Sequence, residues 1–146
     1  MGLFQSFDIS ASGMTAERFR TDVIAENVAN VNSTTTEDGT PYRRKIVTFG
    51  EKQVTPFSKV LANTRNAYVG NGVKVTSVSE DTETDFTMEY DPSNPDADEN
   101  GYVSYPNVNI VTEMTNLIDA SRAYEANATA FDASKAMAQA GLQIGK

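Results

Sequence analysis

The sequence lacks both cysteine and histidine. Without cysteine the chain can form neither a disulfide framework nor a thiolate zinc site, and without histidine it lacks the commonest general base and transition-metal ligand. Basic residues are also scarce, because twelve lysines and arginines face twenty aspartates and glutamates, for a net charge of −8. That charge repels nucleic-acid phosphate and anionic lipid. We therefore predict a protein that is not an enzyme, uses no cofactor or metal and binds no nucleic acid.

Long apolar runs are missing too. The first cationic side chain is Arg18, so the N-terminus has no basic region, and it has no apolar core of the signal-peptide type. No later stretch approaches the length and hydrophobicity of a membrane span. We expect no membrane insertion of the chain's own, and any export to proceed without a cleaved signal peptide.

The C-terminal stretch predicts one long helix. Pro106 stops any helix before it, and Asn107 or Asn109 can cap the N-terminus. Glu113 lies in the first turn, where the helix dipole favours an acid, and Gly141 marks the predicted end. The residues between would form a rod of roughly 50 Å, longer than one element of a small globule needs to be.

Apolar or small side chains recur along this helix at alternating intervals of four and three residues, which is typical of a coiled-coil seam. Alanines lie on its other faces, where a solvated helix normally carries charged residues. They either raise helix propensity or allow neighbouring helices to approach closely, and both interpretations stay open here. The seam comprises Ile110, Met114, Leu117, Ser121, Tyr124, Ala128, Phe131 and, after Lys135, Ala138 and Leu142, and the alanines are Ala120, Ala123, Ala126, Ala130, Ala133, Ala136 and Ala140.

Residues 1–31 predict a second long helix with apolar side chains on two nearly opposite faces. One partner helix cannot cover both faces. The helix is either wedged between other elements of one domain or covered in part by other subunits, and the second interpretation is favoured because the chain offers only one other long helix. One face carries Phe4, Phe7, Ala11, Met14, Ala25 and Val28, and the other carries Ala16, Phe19 and Val23.

The middle of the chain has a different composition. Residues 31–41 are polar and rich in turn formers, and predict a linker that closes on a turn at Asp38 and Gly39. Pro56 demotes the run over residues 54–61 to an edge strand or a loop. Strands of a small sheet domain are predicted over residues 42–49, 73–78, 86–90 and 102–105.

An acidic stretch over residues 80–99 holds nine carboxylates and no cation. Within it, Asp96, Asp98, Asn100 and Gly101 match the opening of a calcium-binding EF-hand loop. The match fails at the twelfth position, where Asn107 stands in place of the bidentate glutamate. The stretch is better interpreted as a solvated acidic turn, with calcium binding kept as a weaker alternative.

Seven segments that together span nearly the whole chain carry the most specific pattern. They cover residues 7–16, 22–34, 36–44, 90–98, 101–103, 105–110 and 120–127. In this order they resemble the bacterial flagellar basal-body rod proteins, a family of flagellar axial proteins. The N-terminal segments are similar to the motif that flagellar axial proteins share.

The resemblance implies a structural subunit that passes unfolded through the flagellar export apparatus. In the periplasm it would assemble with copies of itself and other rod proteins into the tubular drive shaft, which transmits torque, encloses the export channel and is surrounded by basal-body ring components. The expected fold is α+β, with long N- and C-terminal helices paired as a coiled coil and a small β-rich middle domain. Residues 1–36 and 106–146 would form the inner core, and residues 37–105 the middle domain with its acidic turn.

We expect the assembly interface to lie on the two helices and on the asparagines of the N-terminal motif. Two other classes of function stay open beside the rod subunit: a calcium-binding module and an export adaptor that offers its helices to one partner at a time. The expected interface residues are Phe7, Met14, Phe19, Val23, Asn27, Val28, Asn30, Ile110, Met114, Leu117, Tyr124, Ala126 and Phe131.

Overall fold

The computed structural model describes residues 3–52 and 70–144 and has the predicted α+β fold class. No helix in these ranges is long and apolar enough to cross a membrane. The strands form two separate two-stranded sheets, in which β1 pairs with β2 and β3 pairs with β4. The elements are α1 (Leu3–Ala29), β1 (Lys45–Glu51), β2 (Val73–Glu80), β3 (Thr87–Tyr90), β4 (Tyr102–Tyr105) and α2 (Ile110–Ile144).

The start of α2 is capped by Asn109, one of the two predicted caps. Its Oδ1 accepts hydrogen bonds from the N–H groups of Val111 at 3.0 Å and Thr112 at 3.2 Å, which satisfies two donors of the first turn. The predicted end at Gly141 is wrong, because α2 continues through this glycine to Ile144. A single glycine costs a helix only about 1 kcal/mol relative to alanine, and the surrounding alanines and leucine favour the helix.

The end of α1 is closed by Asn30. Both its backbone N–H, at 3.1 Å, and its side-chain Nδ2, at 2.9 Å, donate to the carbonyl oxygen of Glu26. Because the last carbonyls of a helix lack intrahelical partners, this double contact satisfies one of them. The predicted helix over residues 1–31 is confirmed as a single element of 27 residues.

All four predicted strands are present. The linker turn is also confirmed: Gly39 has φ of 73°, in the left-handed region that favours glycine, and its N–H donates to the carbonyl of Thr36 at 2.9 Å. The run around Pro56 lies outside the described residues. In the second sheet β3 and β4 are antiparallel, with Thr87 opposite Tyr105 and Tyr90 opposite Tyr102.

The chain divides into two compact units, each made from parts of the same elements. The first contains α1 up to Phe19 and α2 from Ala120, together with the end of β1 and the start of β2. The second contains the remainder of both helices and of both these strands, with the whole of β3 and β4. The three-part division predicted from the sequence stays a prediction.

In the first unit α1 and α2 contact each other, as an aromatic pair and a close approach to a glycine show. The rings of Phe7 and Phe131 lie 4.9 Å apart between centroids. Gly13 is buried against the side chain of Asn127, so closely that a Cβ at this position would lie 2.6 Å from Asn127 Oδ1. Small residues are therefore needed where these helices meet.

The face of α2 that the chain buries is not the predicted seam. Glu113, Ala120 and Ser134 are buried and recur at multiples of seven residues, so a polar and small stripe lies against the rest of the chain. Ala120 thus belongs to the chain's own packing and not to the free alanine faces. Of the predicted seam, Ile110, Met114 and Tyr124 are exposed, and Leu117 and Phe131 are half-buried.

In α1, by contrast, one of the two predicted apolar faces is buried in part. Its buried residues include Ala16, Val23 and Asn27, which extend one of the two predicted apolar faces with a polar side chain. Phe4, on the other predicted face, is exposed. The helices contact each other in each unit, which is compatible with the expected coiled coil, but coiled-coil geometry stays a prediction.

Candidate functional site: a buried polar network and an exposed apolar helix face

Asn27, near the end of α1, is the centre of a polar network in the second unit. Its Nδ2 donates to Oε2 of Glu113 at 3.0 Å and to the carbonyl of Lys45 at 2.9 Å. Its Oδ1 accepts from the hydroxyl of Tyr42 at 2.9 Å and from the N–H of Lys45 at 2.8 Å. Both donors and both lone pairs of the amide are used while the residue is 1% exposed. Asn27 therefore connects the end of α1, the start of β1 and the start of α2.

Glu113 is the charged member of this network and is 0% exposed. Its Oε1 accepts from both Nε and Nη2 of Arg44, each at 2.8 Å, while its Oε2 accepts from Asn27. A buried carboxylate is tolerated only when it is paired and hydrogen-bonded, and the loss of one partner from such a pair costs roughly 3 to 5 kcal/mol. The ion pair thus joins the first turn of α2 to the residue that precedes β1.

Asn107 extends the network to the segment after β2. Its Oδ1 accepts from the backbone N–H of Arg44 at 2.8 Å, and its Nδ2 donates to the carbonyls of Asp81 at 3.0 Å and Thr84 at 3.1 Å. The backbone N–H and hydroxyl of Thr84 in turn hold the pKa of Asp81 below its usual value. Asn107, predicted as an alternative helix cap, instead holds three backbone groups together.

Tyr42 keeps its proton in this environment. Burial first, and then the negative charges of Glu26, Glu80 and Glu113, together raise the pKa of its hydroxyl to about 12. The hydroxyl is therefore neutral at physiological pH and donates to Asn27. Since the amide of Asn27 and the carboxylate of Glu113 are all engaged by partners, the network has a structural role and offers no free base or nucleophile.

The second feature is an apolar face at the start of α2. Four large side chains within nine residues lie within about 100° of one another around the helix, at 100° per residue, and turn away from the side that carries Glu113 and Ala120. An exposed apolar cluster of this kind marks an interaction site more often than a solvated surface. The four are Ile110, Val111, Met114 and Ile118, exposed by 46%, 75%, 57% and 52%.

The structure divides the expected interface residues into two sets. Val23 and Asn27 are buried in contacts of the chain's own, so these two are not accessible to a partner in this conformation. The remaining residues keep at least part of their surface accessible. Phe19, Ile110, Met114, Tyr124 and Ala126 are exposed, and Phe7, Met14, Val28, Asn30, Leu117 and Phe131 are half-buried.

Sequence reasoning missed most of the polar network. It assigned Glu113 only to the helix dipole, and it included Tyr42 and Arg44 only in a predicted strand and in a segment that carries the family resemblance. A signal was available, because Asn27, Asn107 and Glu113 are polar residues beside apolar runs. The hydrogen bond between Asn27 and Glu113, however, joins residues 86 positions apart in the sequence, which spacing does not show.

The acidic turn has its own hydrogen bonds. Asp98 Oδ1 accepts from the N–H groups of Asn100 and Tyr102, each at 2.8 Å, and Asp96 accepts from the hydroxyl of Thr34 at 2.7 Å. In the part of the chain that the structure describes, no group of three or more acidic side chains is placed to hold a metal ion. The calcium-binding alternative therefore gains no support from the geometry.

Two flagellar family models match the parts of the chain that contain both helices. The model described as flagella basal body rod protein matches residues 7–36, and the one described as flagellar basal body rod FlgEFG protein C-terminal matches residues 99–144. The flagellar basal-body rod protein FlgC of Borreliella burgdorferi is 43% identical over 99% of this chain and 98% of its own length. The FlgC proteins of Bacillus subtilis, 43% identical, and Escherichia coli O6:H1, 41% identical, are covered over the full length of both chains. The chain belongs to the FlgC family.

As a member of the FlgC family, the chain is a structural subunit of the flagellar basal-body rod, which confirms the prediction made from the sequence. The curated relatives are rod proteins and not enzymes. Asn27 and Glu113 lie one in each of the two matched regions. Asn27, Glu113 and the exposed apolar face of α2 thus lie within the matched regions, whereas Tyr42, Arg44 and Lys45 of the network lie between them.

Proposed function

We propose that this chain builds the rod through the exposed apolar face of α2, defined above by four residues, and through the accessible residues of α1. The contacts would be made with copies of the chain and with other flagellar rod proteins. The proposal rests on one observation: among the described residues, exposed large hydrophobic side chains outnumber buried hydrophobic residues. Fourteen large hydrophobic side chains are exposed, whereas only six hydrophobic residues are buried, two of them alanines.

The hydrophobic effect favours burial of these exposed side chains by another subunit. Burial of apolar surface contributes about 25 cal/mol for each Å², and the chain by itself forgoes much of that free energy. A neighbouring subunit that covers the apolar face of α2 would recover it. The repeat of the same contact at every subunit makes an extended assembly the natural outcome.

The buried network supports the same function from inside the second unit. The apolar face begins at Ile110, and Glu113 on the same helical turn is held by Arg44 and Asn27. Because the carboxylate of Glu113 is buried and both its oxygens accept hydrogen bonds, the ion pair fixes the rotation of α2 about its axis at that point. The apolar side chains are thereby presented to solvent in one orientation, ready for a partner.

The finer features of the function are part of this proposal. The terminal helices would pair as the coiled-coil inner layer of a tube that transmits torque and encloses the export channel, and the strands would form the outer part, facing ring components of the basal body. The subunit would reach the periplasm through the flagellar export apparatus without a cleaved signal peptide. Membership of the FlgC family and the two long helices support each of these statements.

Met114→Asp tests the proposal. The side chain is already exposed in the single chain, so the urea midpoint of the isolated protein should change little. In the rod the same change would bury an unpaired charge, at a cost of several kcal/mol in each subunit, and should abolish rod formation and swimming.

The matched control is Thr112→Asp, which adds the same charge at an exposed position on another side of the same turn. Cells with this variant should swim. Normal rods built from Met114→Asp would show that no subunit contacts this face. A stable complex of one copy with one partner, without any polymer, would favour the export-adaptor alternative instead.

A further inference from the structure

A groove of about 250 Å³ lies beside the β3–β4 hairpin in the second unit. Met88, Tyr102 and Pro41 provide its apolar lining, Ser104 contributes a hydroxyl group, and Asp96 and Asp98 provide its acidic lining. None of these residues belongs to the network around Asn27 or to the exposed face of α2.

The hairpin presents an unpartnered apolar face next to this groove. The strand register places Met88 opposite Ser104 and Tyr90 opposite Tyr102, so these four side chains lie on one face of the sheet. Met88, Tyr90 and Tyr102 are 55%, 64% and 44% exposed, and the two tyrosine rings pack edge to face with centroids 5.3 Å apart. Val103, which points to the other face, is fully buried. The hairpin therefore has one face against the core of the unit, through Val103, and a second face on which three large apolar side chains are exposed.

The segment of the chain that carries this face has acidic residues but no basic ones. The sequence has no lysine or arginine between Lys74 and Arg122. The cations of the second unit nearest in sequence are engaged elsewhere: Arg43 lies over the ring of Phe86, Arg44 pairs with Glu113, and Lys45 pairs with Glu26. No cation of the described ranges pairs with the carboxylates of the groove.

Both groove carboxylates are exposed and already accept hydrogen bonds from the chain. Asp96 accepts from Thr34 through Oδ2, and Asp98 accepts from backbone N–H groups through Oδ1. Because a carboxylate has about four lone-pair sites, each can accept further hydrogen bonds from a ligand. The N–H of Tyr102, and to a smaller extent that of Asn100, also hold the pKa of Asp98 below its usual value, so this carboxylate is ionised at neutral pH.

The size and chemistry of the groove define one class of occupant. Its volume is below the range of about 300 to 1,000 Å³ that is typical of small-molecule sites, and is suited to one long side chain. A guanidinium group donates in its plane to more than one carboxylate and stacks on aromatic rings with its faces. We propose that the groove receives an arginine side chain from a basic segment of a partner protein. A second copy of this chain is a poor occupant of the hairpin face, because two such acidic surfaces repel each other.

A peptide titration tests this assignment directly. The probe is acetyl-Gly-Arg-Gly-amide, added to the isotopically labelled full-length chain while amide chemical shifts are followed. We expect shifts centred on the groove, and we expect the peptide that carries the neutral isostere citrulline to cause none. Equal binding of the citrulline peptide, or shifts centred on another part of the chain, would overturn the proposal.

Matched double variants identify the carboxylates. Asp96→Asn/Asp98→Asn keeps the acceptors that form the turn but removes both charges, and should raise the dissociation constant by at least about tenfold, because a hydrogen bond between charged groups contributes about 1.5 to 3 kcal/mol. Glu83→Gln/Glu89→Gln removes two charges from the same acidic segment outside the groove and should leave binding unchanged. The proposal fails if both double variants weaken binding equally, or if the groove signals shift with protein concentration alone, which would place a second copy there.

The assembled rod provides a second measurement. Cells that carry Asp96→Asn/Asp98→Asn should form rods through their helices and yet swim less well than cells that carry Glu83→Gln/Glu89→Gln. Equal swimming of the two strains would count against a partner at this groove. Because rod formation and peptide binding are scored separately, failure of this proposal can be told apart from failure of the assembly proposed for α2.

Discussion

Asn27 forms four hydrogen bonds through one side chain, and this predicts a large effect of its removal. Asn27→Ala would leave the hydroxyl of Tyr42 and the N–H of Lys45 without their acceptor, and would remove one donor from buried Glu113. Since each unsatisfied buried polar group costs about 1 to 3 kcal/mol, we expect the free energy of unfolding to fall by about 3 kcal/mol. Urea denaturation followed by circular dichroism measures the change.

Asn30 is the matched control for this prediction, because it lies in the same motif three residues later. Its Nδ2 donates a solvent-exposed hydrogen bond to the carbonyl of Glu26. Asn30→Ala should therefore cost less than about 1 kcal/mol. Equal costs for the two variants would contradict the central place given to Asn27.

The raised pKa of Tyr42 predicts how the stability of the fold changes at alkaline pH. Its folded-state pKa of about 12 lies above the reference value of 10.0, so the neutral hydroxyl is favoured by folding. The corresponding stability is fully present below about pH 10 and is lost as the pH rises toward about 12; in that range the total loss is on the order of 2 to 3 kcal/mol. Urea midpoints measured along this pH series should fall for the native chain.

Tyr42→Phe isolates this contribution from the other alkaline titrations. The variant should lose about 1 kcal/mol at neutral pH, because its ring cannot donate to Asn27. Its further decrease between about pH 10 and pH 12 should be smaller than that of the native chain. Equal decreases in stability for the variant and the native chain would show that ionisation of Tyr42 does not destabilise the fold.

At the scale of the helices, two glycines predict opposite effects of the same substitution. Gly13→Ala gains about 1 kcal/mol of helix propensity, but its Cβ would lie 2.6 Å from Oδ1 and 2.8 Å from Cγ of Asn127, whose Nδ2 is held by the carbonyl of Ala123. Overpacking of this kind costs about 1 to 3 kcal/mol, so we expect a net loss of stability. Thermal unfolding of the isolated chain measures it.

Gly141→Ala is the control, because nothing lies within 4 Å of the added carbon. This variant should be more stable than the native chain by up to about 1 kcal/mol. Asn127→Ala combined with Gly13→Ala should recover stability lost by the single change. A stabilising Gly13→Ala would show that the two helices are not closely packed at this point.

At the scale of the whole molecule, the small core predicts a marginal isolated chain. Only six hydrophobic residues are buried among those described, while the two helices comprise 27 and 35 residues. Long helices with an uncovered apolar face are weakly stable without partners. We expect circular dichroism of the dilute monomer to show less helix than these two elements contain, and helicity to rise on assembly. Full helicity at low concentration would contradict a fold that depends on assembly.

The secondary structure and the family could be predicted from the sequence, because both depend on local patterns. Intervals of three and four residues predicted two long helices, alternation predicted the strands, and Asn109 was among the predicted caps. These signals arise within a few residues of the chain, where backbone geometry repeats. The error at Gly141 is also local, since one weak helix former was given more weight than its alanine-rich surroundings.

Only the tertiary structure decided which helix faces the chain buries and which it leaves for partners. The apolar pattern marked Ile110 and Met114 as a seam, whereas the chain buries the polar and small stripe through Glu113 and Ala120. Periodicity shows that a face needs to be covered but not whether the same chain or another subunit covers it. Asn27 and Glu113 are separated by 86 residues in the sequence, and a hydrogen bond between them exists only once both helices and the start of β1 have been brought together.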